Sequence, residues 1–252
     1  MAKIALITGA TAGIGEACAH LFAREGYDLI LTGRRQDRLD QLAQYLNTTY
    51  NVRIATAAFD IRSQEQVLHH LETLPAELKQ VDVLINNAGL SQGLDPINKG
   101  TFADWDTMVD TNIKGLLYVS KTVANWMIDN GRGHIINLGS IAGKDVYPNG
   151  NVYCATKSAV DALTKGMRMD LLQYGIKVTA IHPGAVETEF SEVRFKGDKD
   201  RAKKVYEGFT PLTAHDVADT IWWVASRPAH VNINDLVLMP TAQATGTMIN
   251  RK

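Results

Sequence analysis

Short apolar runs rich in β-branched residues alternate along this chain with longer stretches in which apolar positions recur every three or four residues. The first pattern predicts buried strands and the second amphipathic helices. Their alternation predicts βαβ units that build a doubly wound parallel sheet with helices on both faces. Strands are expected at residues 4–7, 28–32, 53–59, 81–85, 134–138, 177–182 and 236–239, and helices starting near Gly13, Gln36, Ser63, Asp104, Val152 and Thr213. No internal repeat, low-complexity tract or flexible linker divides the chain, so residues 1–252 read as one α/β domain.

The stretch 187–213 breaks the alternation. Arg194, Lys196, Lys199, Arg201, Lys203 and Lys204 crowd there among Glu192, Asp198 and Asp200. An irregular insertion of that length between elements is expected to be a lid over a binding site. For 199–204 the alternative is a solvated helix face of mixed charge.

Composition narrows the partners. The 45% hydrophobic and 21% charged content of the 252 residues is that of a compact globular chain and excludes a disordered or fibrous one. With 26 Lys+Arg against 27 Asp+Glu there is no basic field for a polyanion, so nucleic acid and membrane surfaces are not expected partners and a small molecule is. Only Cys18 and Cys154 are present and the histidines form no HExxH pair, so no metal is expected. The first residues lack a signal-peptide pattern, and no uncharged stretch reaches the roughly 18 residues of a membrane helix, which makes the cytoplasm the expected compartment.

The first predicted strand runs directly into Thr8-Gly9-Ala10-Thr11-Ala12-Gly13-Ile14-Gly15, and a helical pattern follows. Gly9 suits a tight turn, Gly13 lets the backbone approach a pyrophosphate, and Gly15 lets helix and sheet pack closely, with the helix N-terminus facing the anion. This strand–turn–helix context makes the segment a Rossmann dinucleotide site rather than a bare turn. The second strand ends at Gly33-Arg34-Arg35, where an acid would select NAD. Two guanidinium groups suit the 2′-phosphate of NADP instead; the alternative is a solvated basic pair.

The fifth strand leads into Gly139-Ser140, and the next helix carries Tyr153 and Lys157 four residues apart, on one face. An ammonium beside a phenol, together with a cationic nicotinamide, is expected to lower the phenol from its ordinary value near 10. Ser140, at the carboxyl end of its strand, is placed to hydrogen-bond a substrate oxygen.

These motifs, with Asn86-Asn87-Ala88-Gly89, Asn112, Tyr153-Cys154-Ala155-Thr156-Lys157 and Pro183-Gly184 in order, resemble the short-chain dehydrogenase/reductase family over essentially the whole chain. The resemblance implies that Tyr153 is the general acid/base and that Ser140 positions the reacting oxygen. It implies that Lys157 holds the nicotinamide ribose and that Asn112 supports a proton-relay water. Asp60 and Asn86 would contact the adenosine side, Val186 and Thr188 would lie near the carboxamide, and Thr11, Ile14, Ala88, Pro183 and Gly184 would complete the NADP lining.

Val193-Arg194-Phe195-Lys196-Gly197-Asp198, residues 228–234 and Met239-Pro240 resemble the NADP-dependent 3-hydroxy acid dehydrogenase group, whose members oxidise L-allo-threonine, serine and related acids. That implies a substrate carboxylate, for which Arg194 is the candidate clamp; packing at the lid hinge is its alternative. The family also implies a homotetramer packed through the helices at 104–129 and 152–173. Rival activities are a 3-oxoacyl thioester or sugar carbonyl reductase and, from another class, a non-catalytic NADP sensor. His182 is expected to be a strand-end residue with a satisfied imidazole, Cys154 a small packing residue, and Trp222 and Trp223 core or subunit contacts.

Overall fold

All seven expected strands form one parallel sheet in the computed structural model, which describes residues 2–252. The strands are β1 (Ile4–Thr8), β2 (Asp28–Gly33), β3 (Ile54–Ala58), β4 (Val81–Asn86), β5 (His134–Leu138), β6 (Lys177–Pro183) and β7 (Asp235–Leu238). Around them lie α1 (Gly13–Arg24), α2 (Gln36–Tyr50), α3 (Gln64–Glu72), α4 (Phe102–Val109), α5 (Leu116–Asn130), α6 (Asn151–Asp170), α7 (Phe190–Arg194), α8 (Lys199–Lys204) and α9 (Ala214–Ala225).

Side chains alternate across the pleat, so each strand feeds two cores. Ala5 and Ile7 of β1 pack with Cys18 and Phe22 of α1 and Val217 and Ile221 of α9. Ile4 and Leu6 pack on the opposite face with Val67 of α3 and Val119 and Val123 of α5. The result is a single Rossmann-like domain. Trp222 joins the first core edge-to-face with Phe22 at 5.2 Å, whereas Trp223 is about half exposed.

The sheet order β3-β2-β1-β4-β5-β6-β7 reverses direction between β1 and β4. Their carboxyl ends diverge there into opposite crossovers and leave a crevice, which is where open α/β sheets bind ligands.

Two segments depart from the sequence expectation. The helix expected through 104–129 is interrupted by a π-helical turn at Asp110–Gly115, where Gly115 passes so close to Ile61 that a Cβ would lie 2.9 Å from its Cγ1. Periodicity registers apolar spacing and does not see one inserted residue. The stretch 187–213 is not irregular throughout: it holds α7 and α8, the latter capped by the Asp198 side chain. Most of α8 is exposed, as the solvated-face alternative required.

Candidate active site

The crevice is an elongated cleft of about 360 Å³ that runs from Arg34 past the glycine-rich turn to Ser140 and Tyr153. Gly9 and Gly13 adopt φ of 67° and 57°, in the left-handed region. A Cβ on Gly9 would lie 3.0 Å from the Ala88 backbone, and one on Gly15 would lie 2.5 Å from the Asn87 amide nitrogen. The turn is therefore pressed onto the end of β4. Asn87 Nδ2 donates to the carbonyls of Thr8 (2.9 Å) and Gly9 (3.1 Å), and Thr8 Oγ1 accepts from the backbone of Asn87 and Ala88 (both 3.0 Å).

At one end Arg34 and Arg35 line the cleft. Arg35, however, is already engaged: it donates to Thr11 Oγ1 (2.8 Å) and to Glu189 (3.0 Å). Arg38, which the sequence reading passed over, donates to the other oxygen of Glu189 at 2.8 Å. The two guanidinium groups hold the Glu189 carboxyl below the usual carboxylate range. Asp60 lines the cleft too, but its carboxylate is gripped by Arg62 at 2.6 Å, which holds it low in the same way.

At the other end Ser140, Tyr153 and Lys157 come together along the cleft wall, although the electrostatics differ from the expectation. Burial pushes the Tyr153 phenol well above its ordinary value, with Tyr147 adding to the rise. The Ser140 hydroxyl and the Arg194 guanidinium pull the other way. Lys157 is engaged at the end of β5. Its ammonium donates to the Leu138 carbonyl at 2.8 Å, and burial brings Lys157 down to about 8. Ser140 caps a one-turn 3-10 helix, its Oγ accepting from the Ala142 amide at 3.1 Å.

The remaining expected residues divide. Thr11, Ile14, Ala88, Pro183, Gly184, Val186 and Thr188 line the cleft. Asn86 does not: its side chain is buried, donating to Ser120 Oγ and Asn137 Oδ1, both at 2.8 Å. Successive strand residues point to opposite faces, so Asn86 faces a helix layer. The Asn112 side chain is likewise tied up, accepting from Leu90 N (2.9 Å) and donating to Leu90 O (2.8 Å) and Thr156 (3.0 Å). Cys154 is buried in an apolar cluster with Leu90, Met108 and Tyr153, as a packing residue should be.

His182 overturns the expectation of a satisfied imidazole, because its Nε2 is buried without a hydrogen-bond partner. Arg194 lines a smaller recess of about 20 Å³ that shares Tyr153 with the main cleft. Its guanidinium carbon lies 5.8 Å from the Tyr153 ring centre, and its Nη2 donates to the Tyr147 hydroxyl at 3.1 Å. The backbone carbonyl of Arg194 accepts from Gly93 N at 3.0 Å, which ties α7 to the loop after β4.

Residues 3–199 match the family described as short chain dehydrogenase. The chain is 46% identical over 250 residues to the NADP-dependent 3-hydroxy acid dehydrogenase YdfG of Salmonella typhi, covering 98% of this chain and 99% of that protein. It is 46% identical over 245 residues to sulfoacetaldehyde reductase 2 of Chromohalobacter salexigens, covering 97% and 96%. Among solved structures, the closed form of serine dehydrogenase complexed with NADP+ is similar at a TM-score of 0.92 and 45% identity, with 99% of each chain covered.

Proposed function

The chain belongs to the short-chain dehydrogenase family, and on that premise we propose that it is an NADP-dependent dehydrogenase of small 3-hydroxy acids. The observation that carries this is the meeting of Ser140, Tyr153 and Lys157 with the glycine-rich turn and Arg34 along one cleft. The residues present fit NADP. Gly9, Thr11, Gly13 and Ile14 would hold the pyrophosphate, Arg34 and Arg35 the 2′-phosphate, Asp60 and Ala88 the adenosine side, and Pro183, Gly184, Val186 and Thr188 the nicotinamide end. Bound there, NADP supplies the hydride acceptor for oxidation and, reduced, the donor for the reverse reaction.

Ser140 Oγ orients the substrate oxygen, and Tyr153 moves the proton to or from it. The protonated phenol favoured by burial suits Tyr153 as an acid in the reducing direction. In the oxidising direction positive charge must stabilise the phenolate, and Arg194 and Lys157 are the cations nearby. Asn112 Oδ1, which with the Lys157 ammonium flanks Gly89, keeps one acceptor lone pair beyond its bond from Leu90 N and would support a proton-relay water. The two relatives named above carry a 3-hydroxy acid and sulfoacetaldehyde in their names, and both are small molecules with an acid group. Arg194 beside Tyr153 is the cation that would clamp such a group.

Residues 187–213 act as the lid in this assignment, with the bond from Gly93 to Arg194 as its latch. A homotetramer packed through the helical segments 104–129 and 152–173 is supported by the exposed apolar side chains Leu117 of α5, Met169 of α6 and Leu172 of the turn that follows α6. Among the described residues no helix is long and apolar enough to cross a membrane. The cytoplasm is the expected compartment, and the buried free thiols of Cys18 and Cys154 suit a reducing one.

The test is NADPH formation, followed by absorbance, with serine, L-allo-threonine and 3-hydroxyisobutyrate. Turnover that disappears in Tyr153→Phe while NADP binding persists is the expected result. Tight NADP binding without turnover of any alcohol supports a sensor instead.

A further inference from the structure

Behind the cleft, side chains from four elements meet beneath Ser140. Lys144 closes the 3-10 turn Ile141–Gly143 that Ser140 opens, Asp161 comes from α6, His182 from β6 and Asp235 from β7. Lys144 Nζ donates to Asp161 Oδ1 at 3.0 Å and to Asp235 Oδ2 at 2.6 Å. The His182 ring is fully buried between this ion network and the active-site turn. Its Nε2 stands 3.6 Å from Asp161 and 3.5 Å from Asp235 without bonding either, and its Nδ1 lies 3.3 Å from the Ser140 carbonyl. A carbonyl only accepts, so a hydrogen bond at this distance is made by the Nδ1–H tautomer.

Asp161, His182 and Asp235 offer ligand atoms within 4.8 Å of one another, the spacing of a metal centre. The Lys144 ammonium already supplies the positive charge between the two carboxylates, so the cluster is an ion network with an imidazole set into it. What that imidazole meets is the start of the active-site turn, at Gly139 and Ser140. A Cβ on Gly139 would lie 2.6 Å from His182 Cε1, so glycine is required where the ring presses. On the other side a Cβ on Gly143 would lie 2.7 Å from the Lys157 carbonyl, and Ser158 Oγ donates to the Gly143 carbonyl at 3.1 Å. Tyr153, Lys157 and Asp161 follow one another at intervals of four along α6. One helix face thus carries the proton-transfer pair and, a turn further on, the carboxylate that anchors the network.

We propose that His182 is a positioning residue for Ser140: its Nδ1–H bond to the Ser140 carbonyl, backed by the Asp161–Lys144–Asp235 network, aims the Ser140 hydroxyl at the reacting oxygen. It rests on the catalytic role assigned to Ser140 above. Burial and the neighbouring Lys144 charge outweigh the pull of Asp235 and Asp161 and hold the imidazole below its ordinary pKa, so the ring is neutral at neutral pH and the Ser140 carbonyl selects its Nδ1–H form.

The test compares His182→Phe, which removes the donor, with His182→Asn, whose amide stands at the Nδ1 position, each alone and in a Ser140→Ala background. The Phe variant should lower kcat by about 10- to 100-fold, the range set by a misplacement of about 1 Å, with KM for the hydroxy acid moving less than about threefold. The Asn variant should recover kcat to within about threefold of the parent, and neither change should lower kcat further once Ser140 is alanine. If the Phe variant does not fold, His182→Gln, whose amide sits at the Nε2 position, takes its place in the comparison. Equal kcat in the donor-keeping and donor-lacking variants, or losses that add to Ser140→Ala, overturn the proposal. Full turnover in Ser140→Ala itself overturns the catalytic assignment rather than this inference alone.

Discussion

The Lys157 ammonium donates to the Leu138 carbonyl at 2.8 Å and is buried beside the cleft. A charge held there costs folding free energy, which is why burial brings this lysine down to about 8. The unfolded chain, with a lysine near 10.4, binds the proton that the folded chain has lost between about pH 8 and 10.4. Stability from this group therefore rises with pH across that window, and its penalty is complete below pH 8. Lys157→Met removes the penalty, partly offset by about 1 kcal/mol for the Leu138 carbonyl left without its donor. Urea unfolding at pH 7 should give a protein more stable by about 1–2 kcal/mol, with kcat down by about 100-fold or more. A variant that is both less stable and active contradicts the assignment.

Glu189 is a carboxylate set where two arginines converge at the adenosine end of the cleft, bonded to Arg35 at 3.0 Å and to Arg38 at 2.8 Å. A 2′-phosphate arriving beside Arg34 and Arg35 competes with it for the same guanidinium donors. Glu189→Gln should tighten NADP binding by about 3- to 10-fold, at about 1.4 kcal/mol per tenfold, and leave NAD binding unchanged. Calorimetry with both nucleotides checks this. Weaker NADP binding in the variant would mean that the carboxylate holds the arginines in their binding geometry.

The strands were legible because a parallel sheet buried on both faces needs uninterrupted apolar runs, such as Ile4 to Ile7, which leads through Thr8 into a glycine turn. The glycine turn and the Tyr153–Lys157 pair were legible because their chemistry lies in the spacing. Glu189 was not, since its partners lie 154 and 151 positions away and nothing local records that pairing. Asn86 was misplaced by a one-residue ambiguity at a strand end, where Asn87 turns out to hold the glycine turn. Arg38 follows Arg35 by three positions at the start of α2, and that helical spacing was a signal that could have found it. The Lys157 electrostatics were hidden because charge spacing along a helix carries no information about burial, and burial decides the sign.

His134 opens β5 with its ring buried, Nε2 bonded to Thr179 Oγ1 at 2.8 Å and Nδ1 without a partner. Burial, with the Lys177 charge nearby, lowers it to about 3. The unfolded chain takes up this proton near pH 6.5 and the folded chain does not, so stability from this group is complete above about 6.5 and is lost as pH falls toward 3. Its contribution between pH 7 and 5 should be a loss of about 2 kcal/mol in urea unfolding, which His134→Gln removes from the difference. An identical acid slope in the variant would show that the imidazole is not the group responsible.

Arg194 reaches Tyr147 and Tyr153 at the mouth of a recess that adjoins the main cleft, on the short helix α7 that is tied to Gly93. A planar guanidinium so placed has donors to spare for an anionic group on a substrate whose hydroxyl lies at Ser140 and Tyr153. A hydrogen bond to a charged group is worth about 1.5–3 kcal/mol, so Arg194→Ala should raise KM for serine or 3-hydroxyisobutyrate by about 10- to 100-fold. The KM for a neutral alcohol of similar size should stay within about threefold, since nothing on it meets the arginine. Arg194→Lys keeps the charge but not the fork, and it should recover part of the loss. The decisive quantity is the ratio of kcat/KM for acid over neutral alcohol. If that ratio is the same in the alanine variant as in the parent, Arg194 serves the packing of α7 and the anion is held elsewhere.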